Sequence, residues 1–498
     1  MRLGKSIVLI FILNFPHHFL QPGAVRDFTM FPFALLFRRP VGAALVLCAL
    51  AASLGAGVVR AQAVDAGGAA EASEQGPVVW AEPSASVREL FSRNKERLLQ
   101  VRVLLSSANE QSSLGSGFLV RDDGVRGAWV ITNYHVVSAL AIDPKKYRLE
   151  LRGTNERTVR AQLLAVDVIH DLAVLRIDHT PQAAPWKVFP LREQALSQGS
   201  KVFSLGNPLE LGFLISEGIY NGLVESRIYD QMLFSGSINS GMSGGPAIDE
   251  GGRVVGVNVA TRRDGQSLSF LVPVKYVRAL MQEAVKGQIR TEWRSEIARQ
   301  LRVHQDFVAS KILTMAEAGD GAQTPAPRAG FASQSLDGRK VPTLDGSLTK
   351  CWARGTENEK LRFQRDSLDC SLHSGLFVSR QLYTGSLSLQ HVLFRNEKLA
   401  TVQFLKMGSS GSVSGSGRAT SEITRSECHG DYVQGASHVY RVSVCVRAYR
   451  KFEDLYDLTL NAVQVDDARE RLASSLNLRG FSFENAQRLS ARFLELLQ

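Results

Sequence analysis

The chain has 498 residues, 44% of them hydrophobic and 21% charged, and carries a formal net charge of +10. That length is too great for one hydrophobic core, so two folded regions and an export segment are expected. The positive surplus is only weak evidence for a polyanion partner: much of it sits near the N-terminus (Arg2, Lys5, Arg26, Arg38, Arg39 and Arg60 against Asp27), and no lysine run interleaved with aromatics marks a nucleic-acid surface.

Residues 1–63 read as an export signal. Met30 offers a second start, followed by Arg38-Arg39, the apolar run Val41 to Val59, and Ala61-Gln62-Ala63, a small-x-small cleavage pattern. The true start is therefore expected at Met30 and the mature chain at Val64, outside the cytoplasm, periplasmic or secreted. An apolar run of roughly 19 residues nearly crosses a bilayer, so a retained anchor is the alternative; otherwise the mature chain has no stable membrane span. The paired arginines only partly match a twin-arginine route. Residues 64–84 are a flexible lead, and an amphipathic helix is expected near Ser86 to Arg97, with Val87, Leu90 and Phe91 on one face.

Further along, Trp129 to Thr132 form an apolar strand that runs into a polar turn at His135. Asp171 heads a second apolar strand, Leu172 to Ile177. Helical periodicity appears from Val274 to Val285 and again over 291–318, through Ile297, Leu301, Val308 and Ile312. Residues 319–347, containing DGAQTPAPRAG, read as a linker. Residues 348–498 read as a smaller α+β domain: short alternating strands to Tyr456, a Ser/Gly loop at 408–417, and two closing helices, Asp466 to Leu476 and Phe483 to Leu497.

Of five cysteines, Cys48 falls in the export segment, and Cys351, Cys370, Cys428 and Cys445 fall in the C-terminal region. An even number in an exported domain reads as two disulfides, with Cys351 to Cys370 and Cys428 to Cys445 the simplest pairing. Zinc is the poorer reading, because the spacings are long and His373 and His429 lack partners at ligand separation. No metal or cofactor is expected.

The segment that carries most chemistry is Asn239-Ser240-Gly241-Met242-Ser243-Gly244-Gly245-Pro246. A reactive serine needs a tight turn and backbone amides free to face an oxygen that gains charge; glycines on both sides permit this. Its hydroxyl also needs a base, and the base an orienting carboxylate. His135 and Asp171 supply these types. Asp167 and His170 lie close to Asp171 and read as turn residues.

Residues from about Leu98 to Val285 resemble a trypsin-like serine protease domain of the HtrA/Deg type. The matching pieces are Gly115-Ser116-Gly117-Phe118, TNYHVV around His135, HDLAVLRI around Asp171, Gly206-Asn207-Pro208, Ser216-Glu217-Gly218-Ile219, GMSGGP around Ser243 and Ser269 to Pro273. The resemblance implies a mainly β fold, two six-stranded antiparallel β-barrels with the active site between them, and a protease domain over residues 85–290. It implies Ser243 as nucleophile, His135 as base, Asp171 as its orienter, and an oxyanion hole at Gly241, Met242 and Ser243. It also places Ser237, followed by Ile238, at the base of the primary pocket, where no carboxylate is available to pair with Lys or Arg. Small or medium apolar side chains before the scissile bond are therefore expected. The family's peptide-binding PDZ module has no recognisable counterpart, and no family resemblance is recognised in the C-terminal domain.

The reading that results is an exported serine endopeptidase acting on polypeptides, unfolded envelope proteins among them. The resemblance allows a trimer. The alternative is a binding or chaperone-like envelope protein on a protease scaffold.

Overall fold

The computed structural model describes residues 85–177, 185–225, 227–261, 268–286, 292–313, 330–344, 346, 348–356, 362–372, 375–406, 418–435 and 437–497. The export signal, Met30, Cys48, the lead at 64–84 and His373 lie outside the described residues. The first element, α1 (Ala85–Asn94), buries Leu90 against the barrels, with Val87 and Phe91 packed beside it.

Six strands follow: β1 (Leu98–Leu105), β2 (Glu110–Asp122), β3 (Ala128–Thr132), β4 (Tyr147–Gly153), β5 (Thr158–Asp167) and β6 (Leu172–Ile177). They close into an antiparallel barrel in the order β1-β2-β3-β6-β5-β4, with helix α2 (Tyr134–Ile142) inserted after β3. A second barrel joins β7 (Lys201–Gly206), β8 (Leu214–Leu223), β9 (Met232–Phe234), β10 (Pro246–Ile248), β11 (Val254–Thr261) and β12 (Ser269–Pro273) in the order β10-β11-β12-β9-β8-β7.

Strand β3 reads as an unbroken apolar run because both of its faces are covered. Ala128 and Val130 join the core of the first barrel, whereas Trp129 and Ile131 join a cluster shared with Phe203, Leu205 and Ile248 of the second. Side chains alternate across a strand, so one strand feeds two cores and welds the barrels together. His135 follows β3 directly, and Ser243 precedes β10, whose Ile248 lies in that shared cluster.

Helix α3 (Val274–Lys286) closes the second barrel, and α4 (Arg294–Leu313) leads onward. The first half of α4 buries Ile297 and Leu301 in the first barrel's core, and its second half buries Val308, Ala309 and Ile312 in the C-terminal core. The helix is thus narrower than the expected 291–318, and residues 314–318 are not described.

The expected linker over 319–347 is corrected in part. Residues 331–344 form a hairpin of β13 (Phe331–Leu336) and β14 (Arg339–Leu344) around Asp337-Gly338, both at positive φ (45° and 87°). Asp-Gly at such angles is the two-residue turn that matches strand twist, and Val341 and Leu344 then enter the C-terminal core. The Gly/Ala/Pro composition that reads as linker belongs only to the residues before it.

The C-terminal domain is a seven-stranded antiparallel sheet in the order β15-β16-β19-β23-β22-β21-β20. Its strands are β15 (Thr349–Thr356), β16 (Phe363–Leu372), β19 (Ser386–Asn396), β20 (Glu427–Gln434), β21 (Val439–Ala448), β22 (Tyr456–Gln464) and β23 (Glu470–Phe481). Between β16 and β19 runs a separate hairpin, β17 (Leu376–Ser379) and β18 (Leu382–Thr384). A short helix, α5 (Thr401–Lys406), precedes β20, and α6 (Phe483–Glu495) packs Leu489 and Phe493 on the sheet, its start capped by the Ser482 hydroxyl accepting from the Asn485 amide.

The helix expected over Asp466 to Leu476 is instead strand β23. Leu472, Ser474, Leu476 and Leu478 alternate inward, and β19 and β22 pair with it on its two sides. A centre position in a sheet overrides the helical propensity of an Ala/Arg/Leu-rich stretch.

Both expected disulfides are present, Cys351–Cys370 and Cys428–Cys445. Each joins directly opposed residues, one across β15 and β16, the other across β20 and β21. Those pairs are the two edges of the sheet, where a strand is bonded on one side only.

Candidate active site

His135 does not end a strand, as its apolar approach implied, but sits in the first turn of α2, after Asn133 at the cap position. A helix start leaves backbone amides without partners, and here Asp171 takes them. Its carboxylate Oδ1 accepts from the His135 amide at 2.8 Å, and its carbonyl accepts from the Tyr134 amide at 3.1 Å and from Asn133 Nδ2 at 2.8 Å. Asp171 adopts φ 55°, a left-handed conformation that aspartate tolerates, and that bend aims both its carbonyl and its carboxylate at the helix.

The second carboxylate oxygen, Oδ2, lies 2.6 Å from His135 Nδ1. Since a carboxylate only accepts, Nδ1 carries the hydrogen, and Nε2 of a neutral ring is left as the base. Burial alone pulls the imidazole pKa down, but the Asp171 charge and hydrogen bond outweigh it and hold His135 above its ordinary value. Asp167 makes a parallel arrangement with its own neighbour: Oδ2 lies 2.7 Å from His170 Nδ1 and Oδ1 accepts the His170 amide. His170 is stacked on Tyr276 at 3.6 Å. Asp167 and His170 thus brace the turn that carries Asp171.

The Ser243 loop is held from the first barrel. The Ser116 amide donates to the Ser243 carbonyl at 2.8 Å, the Ser116 hydroxyl donates to the Gly241 carbonyl at 2.7 Å, and the Asn207 amide donates to that hydroxyl at 2.9 Å. From the second barrel, Asn258 Nδ2 donates to the Leu205 carbonyl, and the Gly244 amide donates to the Asn258 carbonyl. Gly244 sits at φ 84°, and a Cβ there would come within 2.3 Å of the Ser116 carbonyl and Thr132 Oγ1 and 2.8 Å of the Asn133 amide. Only glycine allows the serine loop to approach the histidine helix this closely.

With carbonyls so engaged, the Gly241 and Ser243 amides have no acceptor among the described residues, and Gly241 is buried at φ 95°. The Met242 amide differs: it donates to the Asn239 carbonyl at 3.0 Å, and the Met242 side chain is fully buried in the second barrel. Of the three expected oxyanion-hole residues, two therefore offer free donors and Met242 supplies packing. The Ser243 hydroxyl donates to the Val259 carbonyl at 2.9 Å and makes no hydrogen bond to His135. Val259 itself lines a cleft of about 430 Å³ together with His135 and Asp171.

Ser237 is exposed, whereas Ile238 is buried with Tyr220, Phe234 and Met242, and neither lines that cleft. Two contributors escaped the sequence reading. Ser116 is legible only as part of a motif, and its hold on both the Ser243 and the Gly241 carbonyls emerges only in the fold. The second is Phe377 of the C-terminal domain, whose ring meets the His135 imidazole edge-on at 5.9 Å. Among the described residues, no group of three or more His, Cys, Asp or Glu side chains is arranged to hold a metal, and no helix is long and apolar enough to cross a membrane.

The trypsin-like peptidase domain family matches residues 115–257. HhoA of Synechocystis, described as a putative serine protease, is 30% identical over 183 residues, 35% of this chain and 43% of that protein. A probable periplasmic serine endoprotease, DegP-like, of Bartonella henselae is 28% identical over 242 residues, 46% of each chain. The chloroplastic Protease Do-like 1 of Arabidopsis thaliana is 31% identical over 240 residues, 45% of this chain and 51% of that protein. The chain thus spans about half the length of the curated relatives it matches. Twin barrels, the bonded serine loop and these likenesses together identify a trypsin-like serine protease domain of the HtrA/Deg type, joined in this chain to a disulfide-bonded α+β domain.

Proposed function

We propose that the chain is an exported serine endopeptidase that cuts polypeptides through an acyl-enzyme. The observation that carries this is the 2.6 Å pairing of His135 Nδ1 with Asp171, together with the Gly241 and Ser243 amides, which have no acceptor among the described residues. Ser243 turns its hydroxyl from the Val259 carbonyl toward His135 Nε2, which takes the proton as the oxygen attacks the peptide carbonyl. Asp171 stabilises the imidazolium and keeps the ring in register. The carbonyl oxygen, now negative, accepts from the Gly241 and Ser243 amides, donors worth on the order of 100-fold or more each in turnover. The imidazolium then protonates the leaving amine, and water, deprotonated by the same ring, releases the acyl group.

Ser237 puts no carboxylate under the primary pocket, so cleavage follows small or medium apolar residues. Incubating the mature chain with a peptide library and sequencing the products tests this: cuts concentrated after alanine, valine and similar residues support it, and cuts after lysine or arginine overturn it. Extracytoplasmic polypeptides, unfolded envelope proteins among them, are the natural substrate class, given the export signal.

A second reading, a binding or chaperone-like envelope protein, draws on the Ser243 hydroxyl being bonded to Val259 rather than His135. Casein digestion separates the two. Turnover abolished by Ser243→Ala supports the peptidase, and binding without turnover supports the alternative.

A further inference from the structure

The hairpin β17–β18 belongs by sequence to the C-terminal domain, yet it packs on the protease. Its side chains alternate. Leu376, Val378 and Leu382 are 5%, 0% and 1% exposed and join the first barrel's core. Phe377 and Tyr383 lie on the opposite face, edge to face at 5.3 Å, and line the same cleft as His135 and Asp171. Phe377 touches the His135 ring, and Tyr383 remains 60% exposed.

The hairpin is held at both ends. The Tyr134 hydroxyl, one residue from His135, donates to the Val378 carbonyl at 2.9 Å. Past β18, the Gly385 carbonyl lies 3.0 Å from His304 Nε2, and His304 Nδ1 lies 2.8 Å from the Tyr229 hydroxyl. A carbonyl only accepts, so Nε2 donates to it and Nδ1 of the neutral ring accepts from tyrosine; burial, which outweighs the Gly385 bond, lowers the His304 pKa and favours this neutral form. Gly385 has φ 67°, and a Cβ there would come 2.7 Å from His304 Nε2. Two aromatic rings are therefore presented to the cleft on a rigid element, which is what a binding surface needs and what a solvated loop does not supply.

Resting on the endopeptidase reading above, we propose that Phe377 and Tyr383 form a substrate subsite. It is supplied by the C-terminal domain and takes one large apolar side chain, at a position within two residues of the scissile bond. The rest of the lining is mixed: Val168, Ile169 and Val272 are apolar and the Asp230 carboxylate is paired with Lys275, while Arg227 and Gln231 add polar groups, so the apolar character of the subsite rests on the two rings. The C-terminal domain would then be part of the protease's recognition machinery.

The test uses the mature full-length chain and quenched fluorescent peptides that place glycine, aspartate, leucine or phenylalanine at each of two positions on either side of the cut. Native enzyme is expected to prefer leucine or phenylalanine over glycine at one position by about tenfold or more in kcat/KM. Phe377→Ala and Tyr383→Ala should each reduce that ratio severalfold at that position alone, with Phe377→Leu retaining most of it. Tyr383 is exposed, so its replacement answers even if Phe377→Ala fails to fold. Ratios equal to the native chain's at every position overturn the subsite. If the native chain neither cuts nor takes a fluorophosphonate label on Ser243, the endopeptidase reading fails separately. Fluorescence anisotropy of the same peptides then decides: apolar-selective binding lost in Tyr383→Ala sustains the subsite, and equal affinity for leucine and glycine peptides overturns it.

Discussion

Asp171 does two jobs with one carboxylate, capping the start of α2 and holding His135 Nδ1. Asp171→Asn keeps the shape but removes the charge and admits the wrong imidazole tautomer, so kcat should fall on the order of 10⁴-fold. The pH dependence has a definite sign. In the proposed mechanism the base is neutral His135, whose pKa is raised, so kcat/KM should be lost as pH drops through an inflection above the ordinary value of 6.5. With the asparagine, burial is no longer outweighed, and the acid limb should move to lower pH; a limb that stays in place contradicts this assignment. These residue types and their order are readable from the chain. What the chain hides is the hydroxyl direction of Ser243, the donation of the Met242 amide to Asn239, and the burial of Ile238, because each depends on loop conformation rather than on side-chain identity.

At the scale of elements, legibility follows how local the determining interaction is. Helix α1 announces itself through short-range periodicity, whereas the two barrels are legible only through the motifs that carry the family resemblance. Strand β23 announces itself in neither way, because Leu472 and Leu476, four residues apart, satisfy a helical spacing as well as an alternating one, and only pairing with β19 and β22 decides. The β13–β14 hairpin is signalled by Asp337-Gly338 but sits after a Gly/Ala/Pro-rich stretch that masks it. The disulfides show the same local logic: each spans two strands joined by a short excursion, and each secures an edge strand whose outer face is mostly exposed, with Trp352 at one edge 67% exposed and Tyr432 at the other 62% exposed. Replacing Cys428 and Cys445 together by alanine should destabilise the C-terminal domain by roughly 3 kcal/mol, read as a lower urea midpoint for that domain. An unchanged midpoint would mean that β20 is held without the bond.

Across the whole described unit, the C-terminal domain shares a core with the protease. Leu376, Val378, Leu382, Phe452 and Leu455 all enter the first barrel's cluster, and Lys451 reaches Asp143 beside α2. α4 continues the connection, with Gln300 bonded to the Val166 carbonyl and the Val168 amide, next to the turn that holds Asp171. Removing residues 320–498 should therefore lower the thermal midpoint of the remaining protease, on the order of 10 °C for several exposed core side chains. A midpoint equal to the full chain's would show the domains to be independent. This shared core is the least legible feature of the sequence, since it joins residues more than two hundred positions apart, as in the Tyr134 to Val378 bond.

All of these arguments converge on one oxygen atom. Treating the mature full-length chain with a fluorophosphonate probe and locating the adduct by mass spectrometry should find it on Ser243 alone. The label should be absent in Ser243→Ala and far slower to form in Asp171→Asn. A folded native chain that takes no label, or takes it on another serine, would contradict the account.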